Sequence, residues 1–139
     1  MLIQPYLFFD GRCEEALAFY GKAVGAQVQM LMRFNDSPAP DGEGCGPDTP
    51  NSEKVMHASV RIGDSVIMVS DGECRGEPDF RGFSLSITVA DDAEATRCFN
   101  ALLDGGEATM PLSKTFFASS FGMLRDRFGV NWMVMAPAK

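Results

Sequence analysis

Hydrophobic positions along the 139 residues change period several times, and each change predicts an element. Residues 3–9 are aromatic and apolar and stop at Asp10-Gly11, which predicts a strand and a turn. Over 12–24 the apolar residues Cys13, Ala16, Leu17, Tyr20 and Val24 recur at helical steps, and Gly25 ends the run. A half-buried strand follows over 28–34, where Val28, Met30, Met32 and Phe34 alternate with polar neighbours and Leu31 breaks the alternation. Residues 35–53 lose their hydrophobes to Pro, Gly, Asp and Ser and predict an exposed polar loop, either disordered or a lid. Two short strands, 55–62 and 65–70, are then joined by Gly63-Asp64, a two-residue hairpin spacing.

After a polar linker over 71–81 the same order starts again. Strand 83–89 leads to a helix over 92–103, capped by Asp91 or Asp92 and ended by Gly105-Gly106. Strands over 108–110, 117–125 and 130–135 complete it, with Arg127-Phe128-Gly129 as the last turn. The pattern is βαβββ twice, about 1–72 and 82–139. It predicts one α+β domain over 1–139 rather than a solenoid.

Charge narrows the partners. Twelve basic against 19 acidic residues give a net charge of -7, which disfavours nucleic acid and anionic membrane. The start carries no basic region followed by an apolar stretch, and no apolar run reaches membrane-spanning length, so a cytoplasmic protein is expected. Cys13, Cys45, Cys74 and Cys98 are scattered without the close spacing of a zinc or redox motif and read as reduced thiols.

Certain runs are more specific. Tyr6-Leu7-Phe8-Phe9-Asp10-Gly11, Glu14-Glu15-Ala16, Val55-Met56-His57-Ala58, Asp91-Asp92-Ala93-Glu94-Ala95 and Asp126-Arg127-Phe128-Gly129-Val130-Asn131-Trp132 resemble the PhnB-like branch of the vicinal oxygen chelate superfamily. The resemblance covers nearly the whole chain except the polar loop. It implies two βαβββ modules forming a cupped mixed sheet, of the glyoxalase/bleomycin resistance/dihydroxybiphenyl dioxygenase kind. It also implies a homodimer and a small-molecule ligand in the cup. Some members carry a methyltransferase label, but no glycine-rich nucleotide-binding turn follows a strand here.

The metal-dependent relatives hold their ion through the first and fourth strands of both modules. By motif spacing those places fall at Gln4, Met68, Ser84 and Met133. Two thioethers and a hydroxyl suit a hard divalent ion poorly, so no metal and no cofactor are expected. Strand alternation instead puts His57, Ser59, Met68 and Ser70 on one face, and Ala58, Val60, Ile67 and Val69 on the face under the helices. Gln4, Tyr6 and Phe8 share a face, as do Ser84, Ser86 and Thr88, and Asn131, Met133 and Met135. These describe a lining for a small organic ligand, with Gln4, Tyr6, Ser59, Met68, Ser70, Ser84, Ser86 and Met133 as contacts.

His57 is the single histidine and the candidate general base. The bland alternative is a neutral ring bonded to a hydroxyl such as Ser70. Trp132 reads as core, Glu14 and Glu15 as helix-start acids, and Asp126 with Arg125 as a solvated ion pair. The expected function is metal-independent small-molecule binding. The alternatives are a metal-dependent lyase, transferase or dioxygenase with relocated ligands, and a subunit acting through its surface.

Overall fold

The computed structural model describes residues 1–36, 53–72, 76 and 78–138. Most of the predicted polar loop, and both Cys45 and Cys74, lie outside the described residues. The chain divides into two compact units, Met1–Pro78 and Asp79–Lys139. The first holds β1 (Tyr6–Phe8), α1 (Cys13–Val24), β2 (Gln27–Arg33), a 3-10 turn (Phe34–Asp36), β3 (Val55–Ile62) and β4 (Ser65–Ser70). The second holds β5 (Leu85–Thr88), α2 (Asp92–Leu103), β6 (Glu107–Ser113), β7 (Ala118–Arg125) and β8 (Asn131–Pro137). Each unit forms a four-stranded mixed sheet, in the orders β1-β4-β3-β2 and β5-β8-β7-β6. The first strand runs parallel to the last and the other pairs are antiparallel. The βαβββ unit is therefore present twice, as expected.

β3, β4 and α2 have the predicted limits, whereas β1 covers 6–8 rather than 3–9. Pro5 has no N–H to give a ladder, and Leu2 and Ile3 before it are exposed. β6 is longer than predicted and contains Pro111. It is tolerated because β6 is an edge strand, where a missing donor breaks no ladder. In β2 the register shifts between Val28 and Met30. The extra residue puts Val28 opposite the buried Val60 and Leu31 opposite the buried Ala58, although Val28 on this edge strand is itself 48% exposed, while Met30 and Met32 oppose Ser59 and His57. Leu31 thus broke the sequence pattern because one inserted residue exchanges the two faces of a strand.

The two helices start differently. α2 has Asp91 as cap, its carboxylate accepting from the Glu94 N–H at 2.9 Å. Asp92 instead accepts from the hydroxyls of Ser119 and Ser120 on β7, at 2.5 and 2.6 Å. α1 has no side-chain cap of its own. Asp71, just past β4, supplies one from a distance: Oδ1 accepts from the N–H groups of Gly11 (2.9 Å) and Cys13 (2.8 Å), and Oδ2 from that of Val55 (2.8 Å). The polar linker expected from residue 71 is thereby corrected at its first position, since Asp71 is 1% exposed.

Asp126 corrects a second expectation. It is 3% exposed and not part of a solvated pair with Arg125. Its carboxylate accepts from the Phe128 and Val130 N–H groups (2.8 and 3.1 Å) and from the Trp132 indole N–H (2.8 Å), while Arg125 pairs with Glu107. Trp132 is buried as expected. Each sheet buries one face: Leu7, Ala58, Val60, Ile67 and Val69 in the first unit, and Ala118, Leu124, Trp132, Val134 and Ala136 in the second. α1 packs on the first sheet at β3, and α2 on the second at β6, β7 and β8.

Candidate functional site

The opposite face of the first sheet carries the candidate chemistry. Register aligns Met30, Ser59, Met68 and Tyr6 in one row across β2, β3, β4 and β1. In the next row His57 lies opposite Met32, and Ser70 beside Phe8. The Tyr6 ring reaches across β4 to His57, with Oη 2.8 Å from Nδ1 and ring centroids 5.5 Å apart. Phe8, two residues on and on the same face, stacks on Tyr6 at 4.9 Å. Tyr6 and Phe8 are 37% and 52% exposed, and Met30 is open as well. This concentration of exposed apolar and aromatic area beside a polar pair is what a binding face presents.

The hydroxyl on His57 is therefore Tyr6 and not Ser70. Ser70 is buried, and its Oγ accepts the Gly72 N–H at 3.0 Å, closing the turn after β4. His57 is half-buried, and with Nδ1 engaged by the tyrosine its Nε2 makes no bond to any described residue. Gln4 precedes β1 and is half-buried, and Ser59 and Met68 sit between the aromatic pair and β2.

In the second unit Ser86 lies beside Met133 and Thr88 beside Met135. Met133 opposes Met123, which opposes Met110, so three thioethers stand side by side across β8, β7 and β6. Ser84 comes one residue before β5 and is half-buried, while Ser86 is exposed. Phe83, just before β5, is 44% exposed and meets Phe80 edge-on at 6.5 Å.

The inherited metal positions can be tested unit by unit. The first offers the Gln4 amide and the Met68 thioether, and the second the Ser84 hydroxyl and the Met133 thioether. Neither set has the carboxylate or imidazole that a hard divalent ion takes, so these residues do not fit the ion of the metal-dependent relatives. Among the described residues no three His, Cys, Asp or Glu side chains cluster as metal ligands.

A family model described as 3-demethylubiquinone-9 3-methyltransferase matches residues 2–135. Protein YjdN of Escherichia coli K12 is 37% identical over 139 aligned positions, covering 96% of this chain and 94% of YjdN. The crystal structure of protein PA1353 from Pseudomonas aeruginosa superposes with a TM-score of 0.85 at 40% identity, covering 100% and 99% of the two chains. A PhnB protein from Bacillus cereus, carrying the same methyltransferase description, gives 0.79 at 26% identity over 98% and 99%. The chain belongs to the PhnB-like family that this family model describes. The fold alone extends further, to a glyoxylase/bleomycin resistance protein/dioxygenase domain from Frankia at 13% identity and a TM-score of 0.66, covering 98% and 94%.

Around the site of this PhnB-like chain the charges are tied down. Arg33, at the end of β2, forks onto Glu14 with Nη1 to Oε1 at 3.1 Å and Nη2 to Oε2 at 2.6 Å, and Nη1 also donates to the Glu53 carbonyl. The guanidinium hydrogen bond holds the Glu14 carboxyl below the usual carboxylate range. Burial, with the carboxylates of Asp71 and Glu14, pushes the Cys13 thiol far up, so this cysteine is no nucleophile. Sequence reasoning passed over Asp71 and Arg61. Asp71 gave no signal, because its three partners come from remote segments. Arg61 did give one, since it alternates with His57 and Ser59 along β3.

Proposed function

We propose that this chain binds a small organic molecule without a metal, on the open sheet face of its first unit, and that it works as a homodimer in the cytoplasm. The observation that carries the reading is the Tyr6–His57 hydrogen bond, set among exposed aromatic and thioether side chains. Tyr6 holds the imidazole through Nδ1 and leaves Nε2 to a ligand oxygen or nitrogen. Phe8, Met30 and Met68 offer apolar area around it, and methionine adapts to irregular shapes. Ser59 adds a hydroxyl at mid-face, and Gln4 an amide near the start of β1. In the second unit Ser86 and Met133, neighbours in register with Ser84 just upstream, are candidate contacts of the same kind. Buried, unbridged Cys13 and Cys98 support a reducing compartment.

The same bond favours a second reading, in which His57 acts as general base through Nε2 while Tyr6 keeps the ring oriented. The methyltransferase description gains no support from the first strand-to-helix turn. Asp10-Gly11-Arg12 carries one glycine, whereas binding of a nucleotide's phosphates calls for several.

The test uses tag-free protein purified without chelator, analysed for metal and surveyed by thermal shift with aromatic acids, thiol conjugates and glycopeptide antibiotics. We expect metal well below one equivalent, a two-chain species by sedimentation, and stabilisation by at least one class that is lost in His57→Ala and Tyr6→Phe. Stoichiometric Zn, Ni, Mn or Fe, or shifts that persist in both variants, would overturn the proposal. Turnover seen in wild type but absent in His57→Ala would establish the catalytic reading.

A further inference from the structure

β3 alternates from His57 to Arg61. Ala58 and Val60 are buried under α1's side of the sheet, so His57, Ser59 and Arg61 project from the open face. Arg61 lies opposite Gln27 on β2 and Val66 on β4, and its Nη2 donates to the Gln27 amide oxygen at 2.8 Å. That partner is neutral, which sets Arg61 apart. The chain has eight arginines, of which Arg75 lies outside the described residues. Of the seven described, Arg12, Arg33, Arg81, Arg97, Arg125 and Arg127 each lie within 4.0 Å of a carboxylate. Arg61 alone among them meets no carboxylate of the described residues, in a chain with 19 acidic side chains.

Resting on the binding reading above, we propose that Arg61 is the anion-binding residue of this face and that the ligand is an aromatic carboxylate. The guanidinium fork matches a carboxylate in two parallel hydrogen bonds, and the Gln27 bond holds the fork in place. One cation in a chain of net charge -7 suits a single carboxylate better than a polyanion. Arg61 and His57 are four residues apart on one strand, about 13 Å between Cα atoms. A phenyl ring on a short acid chain, with a hydrogen bond at each end, spans a gap of that order. Its ring would lie over Ser59 between Met30 and Met68, where sulfur–aromatic contact is favourable, and its far end would reach Nε2 of His57.

The experiment follows the methyl NMR signals of Met30 and Met68 in protein labelled with 13C at the methionine methyls. The probes are benzoate, 3-phenylpropionate and 3-(4-hydroxyphenyl)propionate, each paired with its neutral carboxamide. We expect the best acid to shift those two methyls and to bind about tenfold more tightly than its amide. Arg61→Gln should erase that difference and Arg61→Lys should keep part of it, with thermal unfolding unchanged in both variants because the side chain is exposed. Acid and amide binding alike at these methyls, unaffected by Arg61→Gln, would refute the anion site and leave the organic-ligand reading standing. Probes that leave both methyls unmoved at millimolar concentration would refute both.

Discussion

Asp71 shows how much one side chain can organise when it is buried. Its two oxygens collect N–H groups from the turn before α1, from the first residue of α1 and from the start of β3. Asparagine keeps one oxygen and turns an NH2 toward a donor, so at least one buried N–H loses its acceptor. Asp71→Asn should therefore cost about 3 kcal/mol in urea unfolding, and a loss under about 1 kcal/mol would show the network to be replaceable. Cys13 adds a pH effect at the same place. Burial first, then the Asp71 and Glu14 carboxylates, raise its thiol above the ordinary value near 9. The folded state thus holds this proton more tightly than the unfolded chain. The contribution is complete below about pH 9 and is lost as pH rises beyond it. Urea unfolding from pH 7 to 10.5 should show wild-type stability falling more steeply above pH 9 than that of Cys13→Ala. Equal slopes would remove Cys13 from the alkaline transition.

At the scale of elements, period and punctuation were nearly sufficient. The two-residue turn at Gly63-Asp64 predicted Ile62 opposite Ser65 and Ser59 opposite Met68, and both pairings are present because Gly63 adopts the φ of 59° that a tight hairpin needs. What the pattern left unread is contact between elements. Gly122 in β7 lies beneath α2, and a Cβ there would come 2.7 Å from Phe99 Cε2 and 3.0 Å from the Leu112 Cα. This glycine is a strand residue for packing reasons, not a turn. Gly122→Ala should destabilise by about 2 kcal/mol through overpacking. Combining it with Phe99→Leu should recover part of that loss, and full additivity in the double-mutant cycle would show that the two residues do not share the space. The candidate site was legible to the same degree. Alternation grouped His57 with Ser59, Met68 and Ser70, but the bond partner of His57 came from a different strand, two strands away.

At the scale of the whole molecule, the repeat is the main fact. The same strand order is built twice from sequences that share a hydrophobic rhythm, and each unit buries one sheet face against one helix. Among the described residues no helix is long and apolar enough to cross a membrane. The sequence by itself determined the elements, their order and the buried side of most strands, because hydrophobic period and turn residues act over a few neighbours and survive in one dimension. Tertiary structure alone decided where remote polar groups meet: the Asp71 carboxylate on three backbone segments, Asp126 on the Trp132 indole, Tyr6 on His57, and Arg61 left with an amide instead of an acid. Those pairings depend on hydrogen-bond geometry within about 3 Å between groups far apart in the chain, which composition and period do not encode.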